Sequence, residues 1–147
     1  MSSIADILKR SRTIAVIGLS HKPERASNGV ARFLHGRGYR VIGVNPGLAG
    51  REMFGETVVP DIASLPDEVD MIDIFRRSEA VAPIVDAALA HLPGLKTVWM
   101  QLGVVNEPAA DRARAAGVQV VMDRCPAIEY PRIFGEMSLS ELSERIA

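Results

Sequence analysis

Residues 13–27 read TIAVIGLSHKPERAS and contain the strongest indication of the fold. Its first five residues form an apolar run typical of a buried strand, and the residues from Gly18 onward suit a turn into a helix. A strand that passes through a glycine turn into a helix directs backbone N–H groups and the helix N-terminus at one point. An anionic group bound there gains about 0.3 to 1 kcal/mol from the helix end. The stretch therefore predicts a phosphate-binding loop.

The residues after the second predicted strand argue against NAD as the ligand. Residues 40–44 form that strand, and Asn45 and Pro46 follow it. A domain that binds NAD usually has an acidic residue at this point, which contacts the ribose hydroxyls. The loop also departs from the G-x-G-x-x-G pattern, because Leu19 and Ser20 follow Gly18. An NAD(P)-dependent oxidoreductase domain is therefore kept only as an alternative.

The size and composition of the chain favour one domain over residues 1–147. A chain of 147 residues buries about 68 to 70% of its unfolded surface on folding. The single cysteine excludes an internal disulfide, and the first residues lack the pattern of a signal peptide, so we expect a cytoplasmic protein. No apolar run approaches the ~20 residues of a membrane span. Seventeen basic and 18 acidic side chains provide no overall field that attracts nucleic acid.

Basic residues are concentrated in the first forty positions. This part of the chain has eight Lys or Arg residues but only two acidic ones, Asp6 and Glu24. Each basic residue alone is explained by a solvated surface. Together they predict a positive potential around the phosphate-binding loop.

Apolar runs alternate with helical patterns along the chain. Strands are predicted at residues 13–17, 40–44, 57–59, 71–75, 96–100 and 118–122. Helices are predicted from Ser3, from Ser27 as an N-cap to Gly36 and Gly38, over residues 78–91 and 107–116, and at residues 127–129. Residues 46–66 are expected to be mostly a surface connection. The alternation predicts an α/β fold, a Rossmann-like three-layer sandwich with a mostly parallel sheet.

In such a sheet, ligands bind beyond the carboxyl ends of the strands, near the point where the strand order reverses. The segments that follow the predicted strands are residues 18–27, 45–46, 75–78, 101–106 and 123–126. Each segment alone is explained by turn or cap chemistry. Because all five are expected at one edge, and together offer cations, amides, hydroxyls, an aromatic ring and a thiol, we predict a ligand site there.

Signatures of catalysis are weaker. The loop at Gly18 lacks the second glycine of a nucleophile elbow, and the spacing of Cys and His residues predicts no metal site. His35 and His91 fall near predicted helix ends, where a structural role is expected. Cys125 is the one candidate reactive thiol, because a neighbouring cation and a following helix can activate a thiol. An inert, half-buried cysteine explains the position equally well.

Five stretches, in order from about residue 13 to residue 134, carry a specific resemblance. They are Gly18-x-Ser20-x-x-Pro23-x-x-x-Ser27, Tyr39-x-Val41 with Val44-Asn45-Pro46, VDMIDIFRR at residues 69–77, WMQLGV at residues 99–104, and VMDRCPAIE at residues 121–129. The pattern resembles the small stand-alone coenzyme A-binding proteins, which are similar to the N-terminal domain of the succinyl-CoA synthetase alpha subunit. The resemblance implies a Rossmann-like fold with CoA lying across the strand ends.

The resemblance also implies a role for each matched residue. The loop would hold the pyrophosphate through backbone N–H groups, and the phosphate contacts would come from Gly18, Ser20, Lys22, Pro23, Arg25 and Ser27. Lys22 or Arg25 would neutralise phosphate charge, while the two serine hydroxyls would assist.

Further along the chain, Asn45 and Pro46 would border the nucleotide. Contacts to adenine and the 3′-phosphate would come from Phe75, Arg76 and Arg77, and the pantetheine path would be lined by Gln101 and Gly103. The histidine that the synthetase phosphorylates belongs to a second domain, which has no counterpart in this sequence. The resemblance therefore implies binding without the ligase reaction.

We thus expect a protein that binds CoA or an acyl-CoA as a carrier, sensor or accessory module, with no nucleic-acid or membrane partner and no assigned catalysis. Besides the NAD(P)-dependent domain, two alternatives stay open. One is a thiol-redox or acyl-transfer enzyme that uses Cys125. The other is an interaction module that binds no nucleotide.

Overall fold

A computed structural model describes residues 3–146 of the chain. The predicted domain of residues 1–147 also includes Met1, Ser2 and Ala147, which lie outside the described residues. The helices are α1 (Ile4–Arg10), α2 (Ala26–Arg37), α3 (Val81–His91), α4 (Glu107–Ala115), α5 (Pro126–Phe134) and α6 (Leu139–Ile146). The strands are β1 (Thr13–Ile17), β2 (Arg40–Val44), β3 (Glu52–Met53), β4 (Glu56–Thr57), β5 (Met71–Ile74), β6 (Thr97–Met100) and β7 (Gln119–Val121).

Five of these strands form one parallel sheet in the order β2-β1-β5-β6-β7. The chain first places β2 on one side of β1 and then crosses to β5 on the other side. The strand order therefore reverses between β1 and β5. The remaining strands, β3 and β4, pair as a short antiparallel hairpin outside this sheet. The predicted Rossmann-like α/β fold is confirmed.

Helices cover both faces of the sheet. Successive residues of each strand point to opposite faces, and an apolar cluster lies on each face. In β1, Ala15 and Ile17 belong to the core cluster that includes buried residues of α3 and α4. Ile14 and Val16 belong to the cluster that includes buried residues of α1, α2, α5 and α6. All five residues of β1 are buried, which explains why the strand is a continuous apolar run.

The start of α2 differs from its prediction. Its N-cap is Arg25, so Ser27 lies inside the first turn and is not the cap. The Ser27 hydroxyl instead accepts a hydrogen bond from the backbone N–H of Ser20. The helix also continues through Gly36 and ends at Gly38, whose φ of 109° suits a glycine cap.

Two further elements differ from the sequence pattern. The strand expected at residues 57–59 is divided, because Thr57 ends β4 and Val59 forms only an isolated bridge with Val44. The helix expected over residues 78–91 begins as a 3-10 turn, Ser78–Ala80, before α3. Pro83 consequently lies in the first turn of α3, where a backbone N–H needs no intrahelical partner.

The C-terminal part of the described chain covers the core. The Tyr130 hydroxyl donates a hydrogen bond to the Met137 carbonyl at 2.7 Å, and Phe134 packs against the buried cluster. Helix α6, which the sequence analysis does not predict, adds Leu139 and Leu142 to the same cluster. Within the described residues, each helix is too short or too polar to cross a membrane.

Candidate ligand-binding site

Four neighbouring strands end at one level of the sheet. Ile17 pairs with Val44 on one side and with Ile74 on the other, and Ile74 pairs with Met100. The next residue of each strand therefore stands in a row along the carboxyl edge, in the order Asn45, Gly18, Phe75 and Gln101. The strand order reverses between the second and third members of this row, which is where such sheets bind ligands.

Gly18 approaches its neighbours across this reversal point. Its φ is +90°, and a Cβ atom at this position would lie 2.6 Å from the Phe75 carbonyl oxygen and 3.3 Å from the Arg76 Nε atom. So short a contact leaves no room for a Cβ atom, and a φ of +90° also favours glycine. The loop backbone can therefore lie directly against Phe75 and Arg76.

Side chains hold the loop after Gly18 in a fixed shape. The Ser20 N–H donates to the Ser27 hydroxyl at 2.9 Å, and the Lys22 N–H donates to the Ser20 hydroxyl at 3.1 Å. The Asn28 amide donates to the Ser20 carbonyl at 2.9 Å. Both serines thus accept backbone hydrogen bonds that shape the loop.

Asn45 supports the same loop from the end of β2. Its amide nitrogen donates to the Leu19 carbonyl at 2.8 Å, and its amide oxygen accepts from the Gly47 N–H at 2.9 Å. The side chain is occupied at both ends, so its direct effect is to fix the position of the loop.

The N-terminus of α2 opens into a cavity of about 330 Å³. Arg25, the N-cap residue, makes no side-chain capping bond, and the N–H groups of Ala26 and Ser27 have no acceptor within the helix. The cavity is lined by Gly18, Ser20, Lys22, Arg25, Ala26, Ser27 and Phe75. The positive end of the helix and two exposed cations make this cavity suitable for an anion.

A second cavity, of about 740 Å³, adjoins the first and shares Ala26 and Phe75 with it. Its other lining residues are Arg76, Arg77, Ala80, Gln101, Leu102 and Val104. Gln101 is only 6% exposed, and its Oε1 atom has no hydrogen-bond partner among the described residues. A buried carbonyl oxygen without a donor is costly, so a ligand N–H would be favourable there.

A third cavity, of about 440 Å³, lies on the other side of Arg76, which also lines the second. Much of its lining is apolar, from Ile17, Val44, Pro46, Pro60, Ile62, Ala63, Pro83, Ile84 and Ala87, and Asp61 and His91 complete it. Residues 60–63 belong to the stretch that the sequence predicted as mostly a surface connection. These four residues are too few to show a hydrophobic pattern, so the sequence does not indicate that they border a cavity.

The structure brings most of the predicted site residues together. Ten of the 13 line these three cavities, namely Gly18, Ser20, Lys22, Arg25, Ser27, Pro46, Phe75, Arg76, Arg77 and Gln101. The other three, Pro23, Asn45 and Gly103, lie in loops that border them.

The two adjacent arginines differ in their surroundings. Arg76 lines two cavities and lies beside Gly18. Arg77 has a side chain that is 88% exposed, and its Nε atom is 4.0 Å from a carboxylate oxygen of Glu79. Arg76 is therefore the cation at the centre of the crevice, while Arg77 lies at its rim.

Residues 123–126 line none of the three cavities. Asp123 accepts a hydrogen bond from the Gly103 N–H at 2.7 Å, so it contacts the loop after β6. Cys125 is 6% exposed and packs in the core cluster near α5. Reactive thiols are usually partly exposed, and the reactivity of Cys125 stays a hypothesis.

Asp73 is a polar residue that sequence reasoning did not single out. It lies in β5, two residues before Phe75, is fully buried, and neither carboxyl oxygen has a hydrogen-bond partner among the described residues. Burial raises the pKa of this carboxyl well above its ordinary value. The residues paired with it on the adjacent strands are Val16 and Trp99, neither of which is charged.

Comparisons with known proteins agree with this geometry. The sequence model of a family described as a CoA binding domain matches residues 12–131. The chain is 35% identical over 129 residues to the uncharacterized protein YneT of Bacillus subtilis (strain 168), covering 88% of this chain and 93% of YneT.

Two solved structures share the fold across nearly their whole length. A hypothetical protein from Pyrococcus horikoshii OT3 has a TM-score of 0.82 and 35% identity, covering 90% of each chain. The protein ID.343 from Thermus thermophilus has a TM-score of 0.81 and 37% identity, covering 86% of this chain and 93% of its own. The range matched by the family model includes every lining residue of the three cavities.

Proposed function

The chain belongs to the CoA binding domain family, and on this premise we propose that it binds coenzyme A or an acyl-CoA at the carboxyl edge of its parallel sheet. The observation that carries the proposal is the uncapped N-terminus of α2, which opens beside Gly18 into a cavity that adjoins the cavity of about 740 Å³. Arg76 lines both that larger cavity and the cavity of about 440 Å³. An anion site within a row of adjoining cavities suits a ligand that has a diphosphate and two different arms.

We assign the diphosphate to the cavity of about 330 Å³. The N–H groups of Ala26 and Ser27 would donate to phosphate oxygens, and Lys22 and Arg25 would neutralise charge. Ser20 and Ser27 would act mainly by holding the loop, since both already accept backbone hydrogen bonds.

The adenosine arm is assigned to the cavity of about 440 Å³, beside Pro46 and Ile17. Its mostly apolar lining would contact the faces of a purine. Arg76 borders this cavity as well as the Gly18 loop, and its planar guanidinium group is suited to bidentate contacts with the 3′-phosphate.

The pantetheine arm is assigned to the cavity of about 740 Å³. Phe75, Leu102 and Val104 would contact its apolar parts, while the unpartnered oxygen of Gln101 would accept from an amide N–H. The size lies within the usual range for small-molecule sites, about 300 to 1,000 Å³.

We propose binding rather than a reaction, as in a carrier, sensor or accessory module. The serine hydroxyls of the site accept loop hydrogen bonds, whereas a catalytic serine would be hydrogen-bonded to a base.

Thermal unfolding with a panel of ligands tests the proposal. A ligand that binds only the folded state raises the melting temperature, so CoA and acetyl-CoA should raise it, dephospho-CoA should raise it less, and NAD should leave it unchanged. A rise with NAD but not with CoA would favour the NAD(P)-dependent alternative. No rise with any of these ligands would favour an interaction module.

A further inference from the structure

One wall of the cavity of about 740 Å³ is the loop that follows β6. Gln101, Leu102 and Val104 line the cavity, and Leu102 is 54% exposed at the tip of the loop. The backbone turns at Leu102 and Gly103. The φ of Gly103 is 78°, in the left-handed region. The shape of this wall depends on what holds the turn.

The loop is held from two sides. On one side, the Val105 N–H donates to the Ser78 hydroxyl at 3.0 Å, and the Asn106 amide donates to the Ser78 carbonyl at 3.0 Å. On the other side, the Gly103 N–H donates to the Asp123 carboxylate at 2.7 Å. The turn is closed by the Val104 N–H, which donates to the Gln101 carbonyl at 2.8 Å, and the Gly103 carbonyl accepts from the Ser78 hydroxyl at 3.4 Å. Asp123 adds the bond to the Gly103 N–H.

Asp123 itself has an unusual backbone. Its φ is 58°, and Phe54 is the only other non-glycine residue in the described part of the chain with a positive φ. Aspartate tolerates this conformation better than most residues, but it still costs free energy that surrounding contacts must offset. Asp123 bonds to the loop at Gly103 but lines none of the three cavities.

A second observation links this loop to a ligand. Gln101, at the start of the loop, is buried and its Oε1 atom has no donor in the described structure. The loop therefore positions an acceptor that a ligand N–H can satisfy.

We infer that Asp123 is a positioning residue for ligand binding: by holding the Gly103 N–H, it fixes residues 101–105 so that Gln101 faces the amide-bearing arm of the ligand. The inference rests on the proposed CoA function and adds a residue that does not itself line the site. It assigns Asp123 to the pantetheine arm of the ligand and not to the diphosphate, which is assigned to the cavity at the N-terminus of α2.

The test uses two variants and two ligands in calorimetric titrations. Asp123→Gly adopts the same positive φ without strain but loses the carboxylate, and Asp123→Asn keeps an oxygen acceptor and also tolerates a positive φ. The ligands are CoA and 3′-phospho-ADP, which is CoA without its pantetheine arm. Thermal unfolding of each variant verifies that it is folded.

We expect Asp123→Gly to weaken CoA binding by about tenfold, the scale of one hydrogen bond to a charged group. Binding of 3′-phospho-ADP should change by less than about twofold, and Asp123→Asn should restore most of the affinity for CoA.

Equal losses for the two ligands, or unchanged CoA affinity in folded Asp123→Gly, would overturn the assignment. Failure of the proposed function is distinguishable, because the wild-type protein would then bind neither CoA nor 3′-phospho-ADP. That result would also overturn the positioning role of Asp123.

Discussion

The backbone of Gly18 lies so close to Phe75 that a Cβ atom on Gly18 would be 2.6 Å from the Phe75 carbonyl oxygen. These residues directly follow β1 and β5, the strands on either side of the point where strand order reverses. Both line the cavity at the first turn of α2. This close approach is the structural basis of the proposed anion site.

Replacing Gly18 by alanine should disrupt that site. Alanine meets both a positive φ of 90° and the short contact with the Phe75 carbonyl, so we expect a loss of about 1 to 3 kcal/mol in the free energy of unfolding. CoA binding should fall below detection because the loop must move. Denaturant unfolding and calorimetry measure the two effects.

Gly36→Ala provides the matched control. Gly36 lies within α2, and a Cβ atom there has no atom within 4 Å. Alanine in a helix interior is favoured over glycine by about 0.5 to 1 kcal/mol, so this variant should be more stable and bind CoA normally. Similar behaviour of the two variants would contradict the account of Gly18.

Arg76→Ala should weaken CoA binding by about tenfold or more while leaving stability nearly unchanged. Arg76 is exposed and borders two cavities, and loss of a charge-assisted contact with phosphate costs about 1.5 to 3 kcal/mol. Calorimetric titrations with CoA and dephospho-CoA measure the effect, which should be smaller for dephospho-CoA.

Two further variants define the specificity of this prediction. Arg76→Lys should recover only part of the affinity, because an ammonium group cannot form the planar bidentate contact. Arg77→Ala should have a weaker effect, since the Arg77 side chain is 88% exposed and lies near Glu79. A larger loss for Arg77→Ala than for Arg76→Ala would show that the 3′-phosphate is misplaced.

Asp73→Asn should increase the free energy of unfolding at neutral pH, because the amide carries no proton that the unfolded state can release. Burial raises the pKa of Asp73 in the folded state, whereas an aspartate in the unfolded chain has a pKa of about 3.9. As the pH rises above about 4, only the unfolded state releases this proton, so the wild-type free energy of unfolding declines until the pH passes the raised pKa.

Denaturant unfolding of wild-type protein and Asp73→Asn from pH 4 to pH 8 measures this difference. The gap between the two proteins should widen as the pH rises. The carboxyl of Asp70 also has a raised pKa because of burial, but it contributes equally to both proteins. Parallel pH profiles would rule out a buried, protonated Asp73.

Cys125 should react slowly with a thiol reagent in the native state. It is 6% exposed and begins α5 without a side-chain capping bond, and buried thiols are poorly accessible. Labelling with an aromatic disulfide reagent, followed by absorbance, should be slow until denaturant is added, and Cys125→Ser should keep its CoA affinity within about twofold. Rapid stoichiometric labelling of the native protein would contradict this prediction and favour a thiol-redox or acyl-transfer enzyme that uses Cys125.

The strands of the central sheet were predictable because burial on both faces makes each of them an apolar run. β1, β2, β5 and β6 therefore appear in the sequence with errors of one residue or less at their ends. Their common carboxyl edge follows from the parallel topology, which explains why most of the predicted site residues meet. The strand positions predicted from the sequence agree with the structure where both faces of the strand are buried.

Ser27 shows where local pattern fails. Its residue type favours an N-cap, but its hydroxyl accepts from the Ser20 N–H seven residues earlier in the chain, while Arg25 becomes the cap. A contact formed by the folded loop therefore overrides the local preference. The sequence contains the residues of this contact but not the geometry that selects it.

The isolation of Asp73 and the bond of Asp123 to the loop after β6 could not be identified from the sequence for a different reason. Asp73 looks like one polar residue in an apolar strand, and its isolation is visible only when its neighbours Val16 and Trp99 are placed beside it. Asp123 matters through a bond to Gly103, twenty residues away. Both properties arise from packing between strands and loops that are distant in sequence.

Calorimetric titration of the folded wild-type protein with CoA, and in parallel with NAD, under reducing conditions distinguishes a coenzyme A site from a dinucleotide site. We predict saturable binding of one CoA per chain, weaker binding of dephospho-CoA because the contact with Arg76 is lost, and no heat of binding with NAD. Folded protein that gives no binding heat with CoA, or that binds NAD in its place, would contradict the assignment of this crevice to coenzyme A.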